Sequence, residues 1–348
     1  MKLRSRIFIV LASLAIFVAP LATASEVRAQ AFFEGKTLSL VTYGSVGGGY
    51  DTYSRLIGRH ISKYIPGKPK IIAQNMTGAG GIVATNYLYN RAPRDGTVIV
   101  HVPWRVWALQ LINDPRARYD FTKMSAVGMA VLENAILYTR VDRFADFEAI
   151  KHSKTKVKLS GNGRSSTGFV FGRIVEEVMG RKLFNFVLAY PGSREYNLAV
   201  RQGEVDGAGL IKSSFVDQLG DMWKAGKLHV FVQTGTSEGK KDPYFGDAPL
   251  LSELAETPEG KKIAQSTALL AALGRPFWLP PGVPSERVKI LRDAFWNVMQ
   301  DDDLLMEAKK LRRPIEPARG EDLQKMWDEA LAAPPQVVAI VKDLFGTK

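Results

Sequence analysis

Not one cysteine occurs among the 348 residues. The chain therefore does without disulfides, and ordinary hydrophobic cores must hold it together. Its four histidines, His60, His101, His152 and His229, fall at no metal-ligand spacing. The enzyme alternative, an exported α/β hydrolase or transferase, would need a nucleophile and a base together in a cleft. Gly35-Lys36-Thr37 looks like the end of a P-loop, but the glycine required upstream is missing and a strand follows rather than precedes it. Gly47-Gly48-Gly49 falls short of the G-x-G-x-x-G dinucleotide spacing. No aromatic–basic motif accompanies the surplus of lysine and arginine, so basicity gives no case for nucleic acid as a partner. After the first few dozen residues, no run is long and apolar enough to cross a bilayer.

What is there begins with a leader. Lys2, Arg4 and Arg6 precede an apolar stretch from Ile7 to about Leu21, and A-x-A sites follow at Ala22-Thr23-Ala24 and Ala29-Gln30-Ala31. This pattern predicts a secretory signal over 1–31, cleaved after Ala31. Its loss removes four cations and one anion, Glu26, so the formal charge falls from +12 to +9. A basic exported protein suits long-range attraction of small anions, and equally a solvated basic surface. The 317 residues left after removing 31 from 348 exceed what one core usually serves, so two domains are expected.

The mature sequence alternates strand-like and helix-like segments, the signature of an α/β fold. Leu38 to Thr42, Lys70 to Gln74 and Thr97 to Val102 read as strands. Thr52 to Tyr64 and Gly81 to Asn90 read as the intervening helices, on apolar residues at helical spacing. Two glycine loops sit at the strand-to-helix corners: Gly44 to Asp51, and Gly78-Ala79-Gly80-Gly81. Both fall on the carboxyl edge of a sheet expected to be parallel, where open α/β sheets bind ligands. Helix N-termini carry unpaired N–H groups and a partial positive charge, and glycine lets a ligand approach them. Two such termini facing each other would clamp an anion. A second set of the same kind runs from Val157 to Ser160, through Gly161 to Gly168, and on to a helix ending near Met179. It continues with Phe186 to Ala189, Tyr190-Pro191-Gly192-Ser193 and a further helix. Two lobes around a cleft are expected.

Several motifs together carry a family resemblance. Gly47-Gly48-Gly49-Tyr50-Asp51, Asn75-x-x-Gly78-Ala79-Gly80-Gly81 and Ala92-Pro93-x-Asp95-Gly96 come first, then Tyr119-Asp120-Phe121. Ser160-Gly161-Asn162-Gly163, Tyr190-x-Gly192-Ser193, Gly203-x-Val205-Asp206, Ala225-Gly226-Lys227-Leu228 and Pro280-Pro281-Gly282-Val283-Pro284 follow in order. The set resembles the receptor component of tripartite tricarboxylate transporters, the Bug-type periplasmic solute-binding proteins, over essentially the whole mature chain. The resemblance implies a two-lobed type-2 periplasmic binding fold, with lobe one at 32–137 plus 236–348 and lobe two at 138–235. It implies a periplasmic, non-catalytic receptor, expected to be a monomer, that needs no cofactor or metal. Its partners would be a small organic mono- or dicarboxylate and membrane permease subunits. In that family the first two loops grip one carboxylate through backbone N–H groups and ordered waters, and the second lobe reads the rest of the ligand.

The candidate ligand-binding residues follow. In the first loop they are Tyr43, Gly44, Ser45, Gly47, Gly48, Gly49 and Asp51; in the second, Thr77, Gly78, Ala79, Gly80 and Gly81. His101 and Trp104 stand in the third loop, and Gly163, Arg164, Ser165, Ser166 and Thr167 in the second lobe, joined by Tyr190, Gly192, Ser193 and Asp206. Some depart from the family pattern. Tyr43-Gly44-Ser45 replaces Phe-Pro and Ala, Thr77 a proline, and His101-Val102-Pro103-Trp104 a Gly-Ser loop, making the cleft bulkier and more aromatic. Arg164 replaces a small residue and can take a distal carboxylate as a bidentate fork, or else point away as a surface arginine. Asp51 either serves local amides and the helix dipole or fixes a water or ligand donor. Ser165, Ser166 and Thr167 cap a helix as readily as they touch a ligand. Asp206 reads first as structural. Trp104 and Trp107 are three apart and form either core or an aromatic wall. A sensor that passes ligand occupancy to a membrane signalling partner fits the same sequence.

Overall fold

Strand β1 (Thr37–Thr42) turns Leu38 and Leu40 to one side and Val41 to the other, and both sides are covered. Alternate residues of a strand face opposite ways, so a strand covered on both faces carries apolar residues on each of them. The computed structural model describes residues 32–345 apart from 45, 104, 164, 165, 237, 238, 333 and 334. The predicted leader, 1–31, lies outside the described residues.

β1 sits in a six-stranded sheet, with elements numbered in chain order. β2 (Lys70–Asn75) and β3 (Val98–His101) flank it in parallel. Beyond β3 lie β10 (Pro276–Leu279), β4 (Ser125–Met129) and β11 (Ala318–Arg319), giving the order β11-β4-β10-β3-β1-β2. β10 runs antiparallel to both β3 and β4. The parallel sheet expected from sequence is therefore mixed, because its middle strand arrives from the far end of the chain.

One face of this sheet carries α1 (Gly49–His60), α9 (Ser285–Val298) and α10 (Asp302–Lys310), which bury Leu56, Ile57, Leu291, Phe295 and Leu304 against Leu38 and Leu40. The other face carries α2 (Ile82–Asn90), α3 (Arg105–Leu111), α11 (Gly320–Leu331) and α12 (Pro335–Phe345). Its core holds Trp107, Trp278 and Trp327, all fully buried. Phe121 meets Trp327 and Trp278 at ring distances of 4.6 and 5.0 Å, and the two tryptophans pack edge-on at 4.8 Å. Truncating one of these rings to alanine is expected to cost about 3–5 kcal/mol. Trp107 is thus core rather than ligand wall.

A second, five-stranded sheet has the order β7-β6-β8-β5-β9. Its strands are β5 (Ala135–Arg140), β6 (Val157–Ser160), β7 (Phe184–Val187), β8 (Gly207–Ile211) and β9 (Leu228–Gln233). β6 pairs in parallel with β7 and β8, while β5 is antiparallel to β8 and β9. Leu137 points into a core shared with α5 (Thr167–Val178), α8 (Pro258–Ala272) and Ile150 of the short α4 (Phe147–His152). Ile136 and Tyr138 point the other way, into a core shared with α6 (Ser193–Gln202) and α7 (Lys212–Lys224).

The chain crosses between the sheets twice. The outward crossing joins β4 to β5 over 130–134, and the return joins α8 to β10 over 273–275. Phe245, Ala248, Leu251, Ala255, Ala264 and Ala271 all pack in cores of the second sheet. Packing thus keeps the segment from 245 to 271 with the second lobe, where the sequence reading returned it to the first at 236. The two crossings touch, with Ala130 donating its N–H to the Arg275 carbonyl at 3.2 Å.

Candidate functional site

Four helices begin at one cavity between the two sheets. The cavity encloses about 280 Å³. From the first lobe it is lined by Tyr43, Gly44, Gly48, Gly49 and Tyr50 of the β1–α1 loop and by Pro103 after β3. From the second lobe come Asn162, Ser166 and Thr167 at the start of α5, Pro191, Gly192 and Ser193 at the start of α6, and Ile211 and Ser214 at the start of α7. Tyr196 and Leu210 complete that wall, and Gly274 and Arg275 of the return crossing close it.

Two of these helices, α1 and α6, start without a side-chain cap, while at α7 the buried Glu133 carboxylate accepts the Ser213 N–H at 3.1 Å. The N-cap residues of α1, α6 and α7 are Gly48, Gly192 and Ile211, none of which offers a side-chain hydrogen bond to the first turn. Only α5 is capped conventionally: Ser166 Oγ accepts from the Phe169 N–H at 3.4 Å and donates to the Gly163 carbonyl at 2.7 Å. Helix N-termini left in this state favour an anion, through unpaired N–H groups and the dipole.

Asp51 answers the question the sequence left open. Its buried carboxylate accepts the Gly47 N–H at 2.8 Å, Arg55 Nε at 2.9 Å and Asn75 Nδ2 at 2.8 Å. Asn75 Nδ2 also donates to the Gly44 carbonyl at 2.7 Å, so one carboxylate and one amide fix both ends of the first loop. Burial alone would raise the Asp51 pKa, but the bonds from Arg55, Gly47 and Asn75 outweigh it and hold the carboxyl below its usual range. Asp51 serves the loop.

His101 lies behind the cavity wall rather than on it. It is buried, its ring stacked 4.1 Å from Phe277 and tilted 4.5 Å from Tyr50, with Nδ1 3.0 Å from Ser54 Oγ. Burial, then the nearby Arg275 charge, pushes its pKa well below the ordinary value, so the ring is neutral.

The second glycine loop does not line this cavity. Gly78, Ala79, Gly80 and Gly81 all have positive φ, from 46° to 134°, and Thr77 through Gly80 are exposed. Gly81 does reach the site indirectly. A Cβ there would stand 2.7 Å from the Pro103 ring, and its φ of 105° also disfavours a side chain. The loop therefore supports Pro103, which lines the cavity, while the termini that oppose α1 belong to the second lobe.

Gly47 sits beside the cavity, tied to Asp51. Gly163 turns the loop before α5 with a φ of 120°. Tyr190 is directed away, its hydroxyl donating to Glu204 at 2.7 Å, and burial and that carboxylate push its pKa up to about 12. Asp206 is structural: it accepts the Lys158 N–H and Arg143 Nε, each at 2.9 Å. Ser45, Trp104, Arg164 and Ser165 lie outside the described residues.

Sequence reasoning missed the residues at the crossing. Arg275 supplies the only charged side chain on the cavity wall among the described residues. It is 2% exposed, and its guanidinium lies over the Tyr50 ring, 4.1 Å from the centroid. Nη2 donates to Ser213 Oγ at 3.1 Å, and Nε stands 3.4 Å from Glu133 Oε1 without forming a hydrogen bond. Glu133, itself buried, accepts both the Ser213 N–H, at 3.1 Å, and the Ser213 hydroxyl. Burial pushes the Glu133 carboxyl above its usual range, against the pull of Arg275 and Ser213. The Tyr50 hydroxyl donates to the Gly274 carbonyl at 3.0 Å, joining the first loop to the same crossing. The only local signal for Arg275 was a charged residue directly before the apolar run Pro276 to Leu279.

Two mixed sheets, joined by two short crossings and enclosing a cavity where helices begin, define the two-lobed periplasmic-binding-protein fold. No family model matches the chain, and no curated protein matches it in sequence. Among solved structures, the periplasmic binding protein BugD is similar at a TM-score of 0.66 and 19% identity, over 89% of this chain and 97% of that one. A TctC solute-binding protein from Polaromonas is similar at 0.65 and 16%, over 88% of this chain and 98% of that one. MatC from Rhodopseudomonas palustris, solved with bound malate, is similar at 0.65 and 19%, over 88% and 99%. These likenesses establish the fold.

Proposed function

We propose that the chain is an exported, periplasmic receptor that captures a small organic mono- or dicarboxylate and presents it to the permease of a tripartite tricarboxylate-type transporter. One observation carries this reading: the starts of α1, α5, α6 and α7 converge on one cavity, and those of α1 and α6, on opposite lobes, lack a side-chain cap. Backbone N–H groups at these starts suit a carboxylate, and bridging waters can complete its shell at little cost. The cavity of about 280 Å³ lies just below the range of about 300–1,000 Å³ typical of drug-sized ligands, and so fits a small acid. Malate in the fold neighbour MatC supports the ligand class, and the solute-binding role of the neighbours supports binding rather than catalysis. Closure of the lobes over the ligand would exclude solvent and give the permease a distinct shape to recognise.

The test is calorimetric titration of the mature protein, refolded to strip carried-over ligand. The panel runs from C4 to C9 diacids through citrate to aromatic acids, with the corresponding amides as controls. Tight binding of an acid and silence from its amide is the expected result. Equal binding of acid and amide, or no binding of any acid, overturns the carboxylate reading.

A further inference from the structure

The four helix starts supply only partial charges; the one full positive charge on the described cavity wall is Arg275. Three features set it apart from a cation that merely serves the fold. A guanidinium has five N–H donors, yet among the described residues Arg275 makes one hydrogen bond, to Ser213 Oγ, and its buried Nε has no hydrogen-bond partner. Its counter-charge, Glu133, commits its hydrogen bonds to Ser213 and stands off from Nε at 3.4 Å. The guanidinium is also held in place, stacked 4.1 Å from the centroid of Tyr50 and beside Gly49, where a Cβ would come within 3.0 Å of Nη2. A buried donor fork that is pre-positioned and under-used is suited to a carboxylate, which it can engage with two parallel hydrogen bonds.

We propose that Arg275 is a ligand-binding residue of the cleft, taking one carboxylate of the bound acid, with Glu133 as a competing internal carboxylate that tunes the affinity. This rests on the receptor reading above and deepens it: the ligand's charge is read at the inter-lobe crossing as well as at the helix starts. Glu133, held by Ser213 at the start of α7, and the ligand's carboxylate would compete for the same guanidinium. Weakening Glu133 should therefore strengthen the ligand, which no purely structural ion pair predicts.

The experiment measures Kd by calorimetry for malate, adipate and the tightest other acid of the panel. The proteins are the unmodified chain, Glu133→Gln, Arg275→Lys and the neutral pair Arg275→Met/Glu133→Gln. The double variant leaves no unpaired buried charge, so it stays folded where Arg275→Met alone risks collapse. The neutral pair should bind about 10- to 100-fold more weakly, the loss of charge-assisted hydrogen bonds. Arg275→Lys, which keeps charge but not the fork, should fall between. Glu133→Gln should bind more tightly than the unmodified chain, by up to about 10-fold. A neutral pair that keeps the native far-UV spectrum and binds like the unmodified chain overturns the proposal, as does a Glu133→Gln variant that keeps that spectrum and binds no more tightly than the unmodified chain. If the unmodified chain binds no acid, the receptor reading fails and this inference with it. If it binds and the neutral pair binds equally, only the Arg275 assignment fails.

Discussion

Replacing Asp51 separates a residue that holds the site from one that touches the ligand. The carboxylate is 2% exposed and receives hydrogen bonds from Gly47, Arg55 and Asn75. Bonds to a buried charged group contribute about 1.5–3 kcal/mol each. The Arg55 partner is 41% exposed, so that pair is discounted to under about 1 kcal/mol. Gly47 is exposed, and its N–H can return to water. What remains is chiefly the Asn75 amide, which must find another acceptor while keeping the Gly44 carbonyl. Asp51→Ala should therefore cost about 2–3 kcal/mol, and Asp51→Asn, which keeps an acceptor but not the charge, about half that. At about 2–4 °C per kcal/mol for a large domain, the alanine variant should melt roughly 4–12 °C lower by circular dichroism. Binding of the preferred acid should weaken in step with the loss of order in the first loop, more for alanine than for asparagine. The stabilisation has a pH window as well. Because the folded pKa is held below its value in the unfolded chain, the contribution is complete above about pH 4 and is lost as pH falls through the folded value. The reasoning is refuted if Asp51→Asn melts with the unmodified protein yet loses all binding, since that pattern belongs to a ligand contact.

Two further outcomes are expected. Glu176, buried in the second lobe, accepts the N–H groups of Leu183 and Phe184 at 2.9 and 3.0 Å and Arg173 at 2.6 Å. Glu176→Ala should lower stability by about 2–4 kcal/mol while the surviving folded protein binds its acid unchanged, as unfolding curves and titration would show. His101 is kept neutral in the fold, so its unfolded form takes the proton first as pH drops. Stability should decline below about pH 6.5 by roughly 1.4 kcal/mol per pH unit for this group. His229, also depressed by burial, adds to the slope. His101→Asn should flatten the melting temperature between pH 6.5 and 5 by about one proton's worth, and an unchanged slope would mean that His101 is not the titrating group.

The parts of this molecule that were legible in the sequence are those written locally. β1, α1 and β2 follow from an apolar run, a helical period and a glycine corner, all within about forty residues. The starts of α5 and α6 were visible for the same reason, since a strand, a small-residue turn and a helix leave a contiguous trace. β10 was not visible. It has four residues, begins with proline and takes its place between β3 and β4 only because the chain returns from the other lobe. α8 was missed too, its lysines and alanines giving little helical contrast, and with it the stretch of chain that packs on the second lobe before the return.

The site divides along the same line. Helix starts are local features, and the sequence placed most of them; which starts face one another is not local, and there the expectation of two first-lobe loops differs from the cavity wall. Asp51 shows how the ambiguity resolves. An acidic residue in a first turn can serve the helix, the loop or a ligand, and the choice was made by Asn75, twenty-four positions away, reaching back to Gly44 and Asp51 together. Arg275 is the extreme case, because everything that gives it meaning comes from elsewhere in the chain: Tyr50 beneath it, Ser213 beside it, Glu133 behind it. A lone arginine before an apolar strand has no periodicity and no spacing to read. Its burial becomes tolerable only after both crossings have formed. The one charged side chain on the described cleft wall is thus one whose setting depends on the assembled lobes, and the glycine motifs alone carry no trace of it.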